Sequence, residues 1–139
     1  MNSRVALKQY GQISAHGSVM DASPHRLIQM LMEAAIGRLV SARGYLEHGK
    51  LAEKGEQINL AISVINGLRS SLNLDKGGEV AANLDSLYDY MTRRLFEANL
   101  NKDVAIIDEV LEMMRGLKES WDQLPQQLDA AGPSAGGQA

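Results

Sequence analysis

Apolar side chains along the chain fall into four long runs at three- and four-residue steps, the repeat of one face of an α-helix. The first run is Leu27, Leu31, Ala34, Ala35, Ala42, Tyr45 and Leu46, and a second set, Ile28, Met32, Ile36, Leu39 and Val40, follows beside it. Ser23-Pro24 supplies an N-cap and a proline at the first helical position, so this helix is expected from Pro24 to about Glu47, with Gly49 closing it. The second helix is expected from about Leu51 to Leu74, on the face Ile58, Ala61, Ile62, Ile65, Leu68 and Leu72, with Leu60 and Val64 on another face. The pair Gly77-Gly78 then breaks the pattern. A third helix is predicted from about Glu79 to Leu100 on Val80, Leu84, Leu87, Tyr88, Met91 and Leu95, with Tyr90 on a flank. Asn101 or Asp103 caps the fourth, which runs from about Val104 to Leu124. Ile107, Val110, Leu111, Met114, Leu117, Trp121 and Leu124 face inward on it, Ile106 and Met113 lie beside them, and Pro125 is expected to stop it.

Four helices of about 20 residues joined by short turns pack as antiparallel neighbours. The fold class predicted is all-α: an up-and-down four-helix bundle over residues 23–124, preceded by a segment, 1–22, and followed by a tail, 125–139. In the first segment Val5, Ala6, Leu7, Tyr10 and Ile13 give one or two helical turns, too short to persist unless they dock. The tail, with Gly-Pro-Ser-Ala-Gly-Gly, has little to bury and reads as disordered.

Composition narrows the function. A net charge of −3 lacks the basic footprint of a nucleic-acid binder. No apolar run approaches the ~20 residues of a membrane span, and no signal peptide is recognisable, so a soluble cytoplasmic protein is expected. The absence of Cys removes disulfides and thiolate chemistry. No phosphate-binding loop or nucleophile elbow occurs, and His16, His25 and His48 form no metal-ligand pattern, so neither an enzyme nor a cofactor is expected. A His-phosphotransfer bundle, the rival on this fold, requires an exposed His in mid-helix, whereas these lie at helix ends or in a loop and read as surface residues. Asp85, Asp89 and Arg93 read as a surface ladder.

The unusual feature is surplus apolar surface. A bundle needs one stripe per helix, yet the first helix has nearly two and the second and fourth have partial ones. A groove for a partner's amphipathic helices, coverage by the N-terminal segment, and a homodimer all account for this. Gly37, Gly67 and Gly116 inside helices suggest positions where another backbone comes close.

Ser70-Ser71-Leu72, then Gly77-Gly78-Glu79-Val80-Ala81-Ala82-Asn83-Leu84, then Leu87-Tyr88-Asp89-Tyr90-Met91 resemble the flagellar secretion chaperone family, FliS. The resemblance extends from about Tyr10 to Trp121. It takes in Ser23-Pro24 with Leu27 to Leu31, Lys54, Ile58 to Leu72, Arg94-Leu95 and Ala98-Asn99-Leu100. The chain departs at Met32-Glu33, where many members carry Tyr-Asp, and in a longer, glycine-containing link from Tyr10 to Ser23. The resemblance implies a cytoplasmic export chaperone that binds the disordered C-terminal segment of flagellin in apolar grooves. It would prevent premature polymerisation and assist delivery to the flagellar type III export gate, with other flagellar regulators as further partners. It also implies that the segment around Tyr10 folds over part of the groove when flagellin is absent. The candidate partner-binding residues are Tyr10, Ile13, Met32, Ile36, Leu60, Val64, Tyr88, Ile106 and Met113. The alternatives are a helical adaptor or phosphotransfer domain, and a self-associating bundle.

Overall fold

The computed structural model describes residues 22–131, with side chains through Leu124. Four helices follow in order: α1 (Pro24–Glu47), α2 (Leu51–Ser70), α3 (Leu74–Asn101) and α4 (Val104–Ala131). Each packs against its neighbours in the chain, and α4 closes the ring on α1. This is the all-α four-helix bundle that the periodicity predicts.

The helix ends follow local chemistry. Ser23 Oγ accepts the Arg26 N–H at 3.1 Å, Pro24 fills the first turn, and Gly49 closes α1 at φ 71°. Asp103 caps α4 by accepting the Ala105 N–H at 2.9 Å. α2 stops at Ser70, short of the expected Leu74, because Asn73 starts the next helix by accepting the Lys76 N–H at 3.0 Å. The glycine break falls inside α3 rather than before it. Gly78, at φ 58° and ψ −136°, separates a single turn from the main helix, and a Cβ on Gly77 would lie 2.5 Å from that of Ala81. The two glycines therefore do different work: Gly78 supplies the backbone angle and Gly77 the space.

The core is a continuous cluster in which Leu39, Ile58, Ile65, Leu68, Met91, Leu95, Ile107 and Met114 are its largest fully enclosed side chains. One charged residue lies within it. Lys54 stands a turn before Ile58 on the same face, and its Nζ donates to Asn99 O at 3.0 Å and Asn99 Oδ1 at 2.8 Å. It thereby caps carbonyls in the last turn of α3, where a cation also meets the negative end of the helix dipole. Desolvation, aided by nearby Lys102, pushes its pKa down. Lys54 and Asn99, 45 residues apart in the chain, thus pin one end of the bundle.

At the opposite end α4 departs from expectation, because it passes through Pro125 and continues to Ala131. Proline has no N–H to offer the carbonyl four residues back, which is that of Trp121. That carbonyl bonds His25 Nε2 at 2.7 Å instead, Trp121 Nε1 donates to His25 O at 3.0 Å, and the rings stack with centroids 5.0 Å apart. Since a carbonyl can only accept, the imidazole proton is on Nε2. A tertiary donor thus supplies the bond that proline removes, and His25 is half-buried at a helix junction rather than an ordinary surface residue.

Among the described residues an added Cβ at Gly37 or Gly116 would meet nothing within 4 Å, so no other bundle helix makes a close approach at either. At Gly37 the lost helix propensity has no packing return. Gly37→Ala is expected to stabilise the fold by about 0.5–1 kcal/mol, read as a higher urea midpoint at unchanged slope.

Candidate functional site

The nine candidate partner-binding residues do not form one surface. Tyr10 and Ile13 lie outside the described residues. Met32, Val64, Tyr88 and Ile106 are buried members of the core cluster, so in this structure they cannot be open groove walls. Their stripes lie within the wide face that a closed ring of four helices encloses, which corrects part of the surplus inferred from periodicity. Ile36, Leu60 and Met113 are half-buried. Ile36 is two turns from Arg43, whose guanidinium grips Asp108, and so stands on the α4 side of α1. Leu60 does not pack against the core cluster.

Met113 leads to the feature that periodicity did not isolate. The seam between α3 and α4 is the most sparsely packed of the four. One stretch of it is latched by polar groups: Tyr90 Oη donates to Glu109 Oε2 at 2.6 Å, and Arg94 Nε donates to Glu109 Oε1 at 2.9 Å. These partners hold the Glu109 carboxyl below its usual range, the tyrosine hydroxyl most strongly and the guanidinium next. Antiparallel register from these two bonds then sets Met113 opposite residues 86–90 and Gly116 opposite residues 83–87. The strip made by Val80, Leu84, Leu87, Met113, Gly116 and Leu117 carries no charge. Val80 is 69% exposed, the larger side chains beyond it are half-buried, and Gly116 leaves open space in the wall. A shallow depression lined by Ala105, Asp108, Glu109, Glu112 and Met113 adjoins this strip.

Across the bundle the α2–α3 seam is closed by charge. Arg69 reaches both Asp85 and Asp89 of α3, and Asp89 also accepts from Arg93 Nε at 2.9 Å. Arg93 first and Arg69 next hold the Asp89 carboxyl below its usual range. The surface ladder expected at Asp85, Asp89 and Arg93 is present at its Asp89–Arg93 step, and Arg69 extends it into an interhelical clamp, with Arg93 also over the Tyr90 ring at 5.9 Å.

His25 Nε2 is committed to Trp121 O, and His48 Nδ1 lies 2.8 Å from Gly44 O, so neither offers a free mid-helix imidazole for phosphotransfer. Among the described residues no three His, Asp or Glu side chains gather as a metal site. Among them also, no helix is long and apolar enough to cross a membrane. Beside its Tyr90–Glu109–Arg94 latch, the α3–α4 seam offers a strip of uncharged, half-buried side chains, a surface that can accept one apolar face of a third helix.

The family model described as "Flagellar protein FliS" matches residues 6–128. The chain is similar to the "Flagellar secretion chaperone FliSB" of Pseudomonas aeruginosa, 49% identical over 117 residues, covering 84% of this chain and 93% of the relative. It is similar to the "Flagellar secretion chaperone FliS" of Salmonella typhimurium, 48% identical over 119 residues, covering 85% and 88%. The similarity reaches Bacillus subtilis, whose protein of the same name is 30% identical over 109 residues, covering 78% and 80%.

Proposed function

Because the chain belongs to the FliS family of flagellar secretion chaperones, we propose that it binds the disordered C-terminal segment of flagellin in the cytoplasm and seats an amphipathic helix of that segment between α3 and α4. Bound in this way, flagellin hides the surface through which it polymerises and is delivered unassembled to the flagellar type III export gate. The role is that of a chaperone without a catalytic step. The observation that carries the reading is the uncharged strip from Val80 and Leu87 to Met113 and Leu117, left half-open where Gly116 supplies no side chain.

The energetics match that role. A disordered segment that folds on binding spends about 2–5 kcal/mol or more on ordering, so its contact must be broad and mostly apolar. Rigid walls help, because a channel that is already formed adds little ordering cost of its own. Leu60 and Ile36 extend the apolar surface beyond the main channel and are proposed as secondary contacts along the path of the wrapped segment. Residues 1–22, with Tyr10 and Ile13, are proposed to cover part of this surface when flagellin is absent, which would lower apparent affinity in proportion to the covered fraction.

Gly116 gives a clean test. An arginine there points into open space and replaces the poorest helix former short of proline, so folding is preserved or improved. Gly116→Arg is expected to weaken binding of a flagellin C-terminal peptide at least tenfold, about 1.4 kcal/mol, at an unchanged or raised melting temperature. Equal affinity in the variant would remove the α3–α4 channel from the account.

A further inference from the structure

At the end of the bundle pinned by Lys54 and Asn99, three large apolar side chains face solvent. Leu100 is 81% exposed, Phe96 54% and Leu51 40%. Phe96 and Leu100 are one turn apart on α3 and so share a face. Leu51 is one turn before Gly55 on α2, and a Cβ on Gly55 would touch the Asn99 side chain at 3.5 Å. The Lys54 bonds to Asn99 hold these two helix ends together, which brings Leu51 to the same end of the bundle as Phe96 and Leu100.

Two unpaired lysines flank the patch. Lys50 and Lys102 are exposed, and neither forms an ion pair among the described residues. Lys102 is close enough to Lys54 to lower its pKa, so positive charge from both helices converges here. Of the nearby carboxylates, Glu56 is exposed and forms no ion pair among the described residues, and the others are engaged or turned aside. Asp103 caps α4, Glu97 pairs with Arg94, and Glu47 pairs with Arg43. Glu53 is on the opposite flank of α2 from Leu51 and Gly55 by helical geometry.

We propose that the Leu51–Phe96–Leu100 patch is a second docking surface, for an acidic amphipathic helix of a partner protein other than the cargo. The apolar stripe of that helix lies over Phe96 and Leu100, and its flanking carboxylates meet Lys50 and Lys102. An anionic membrane is the poorer fit, because two lysines at ~1 kcal/mol each and three apolar side chains fall short of stable membrane attachment. Val80, in the proposed flagellin channel, is 16 residues from Phe96 along α3, a rise of about 24 Å. Both surfaces can therefore be occupied together, and a chaperone carrying cargo would keep this end free for a receptor. The proposal does not rest on the identity of the cargo.

The test uses the full chain, labelled with 15N, and two synthetic 18-residue helical peptides. One carries Leu at heptad a and d positions with Glu elsewhere; the other replaces Glu by Lys. Anionic phosphatidylglycerol vesicles form a third arm. The acidic peptide is expected to shift the amide signals of Leu51, Phe96, Leu100 and Lys102, and to bind at least tenfold more tightly than the basic one. Leu100→Ser, at a side chain too exposed to support the fold, is expected to reduce that binding at least fivefold with melting unchanged. Lys102→Glu provides a second variant that acts through charge alone, and it too should weaken the acidic peptide. Equal binding of the two peptides, shifts confined to the α3–α4 channel, or binding to vesicles without binding to the acidic peptide would each overturn the proposal.

Discussion

Val64→Asp is expected to unfold the protein. The side chain is fully enclosed, at 0% exposure within the core cluster. Aspartate there buries a charge, or a protonated carboxyl, with no designed partner, at a cost of at least about 4 kcal/mol. Total stability of a domain this size is about 5–15 kcal/mol, so the loss removes much or all of the folded population. Far-ultraviolet circular dichroism should show lost helicity, or a melting temperature lowered by well over 10 °C. The matching substitution one turn earlier, Leu60→Asp, meets a half-buried site outside the core cluster and should leave the helical spectrum intact. On the helical period the two residues look alike, since both stand away from the main stripe of α2. A Val64→Asp variant that folded normally would mean that the α1–α2 seam is far looser than its burial indicates.

The second large effect is alkaline. Burial pushes the Tyr88 hydroxyl up to about 12, from an ordinary value of 10.0. In the unfolded chain that group loses its proton near 10, whereas the folded protein resists until about 12. The folded form therefore binds more protons through this window, and stability falls as pH rises across it. Tyr88 contributes nothing to the pH dependence below about 9, and the loss is complete above the folded value. Two units correspond to about 3 kcal/mol. Urea denaturation at pH 9 and pH 11.5, compared between the protein and Tyr88→Phe, isolates this contribution from the other lysines and tyrosines. The native protein is expected to lose more stability over the interval than the phenylalanine variant. Parallel losses in the two would show that Tyr88 is accessible to solvent.

The four helices were legible because each carries a stripe at the helical period, and because Ser23, Gly49 and Asp103 punctuate it with local chemistry. What escaped were features made by residues far apart in sequence. Pro125 reads as a stop, and the donor that lets α4 pass through it is His25, 96 residues from Trp121. Arg69 closes on Asp85 and Asp89 only once α2 and α3 lie side by side. Lys54 left a usable signal, since it sits on the same face as Ile58, Ala61 and Ile65, where a charged residue needs a partner. The candidate site was legible only as excess apolar character. Periodicity separates inside from outside when the wall has one layer. It does not tell the flank that meets a neighbouring helix, as at Val64 and Ile106, from the flank left open, as at Leu87 and Met113. Gly116 reads in the sequence as a place of close approach. In the structure it is the gap through which an approach can be made.

The most direct test of the account is a calorimetric titration of the full chain with a peptide from the C-terminal end of flagellin, repeated at several temperatures. Coupled folding onto the α3–α4 channel predicts one-to-one binding, a strongly negative heat-capacity change, and a gain of helix in circular dichroism beyond the sum of the separate components. Binding without a heat-capacity change or helix gain, or no binding at all, would contradict it.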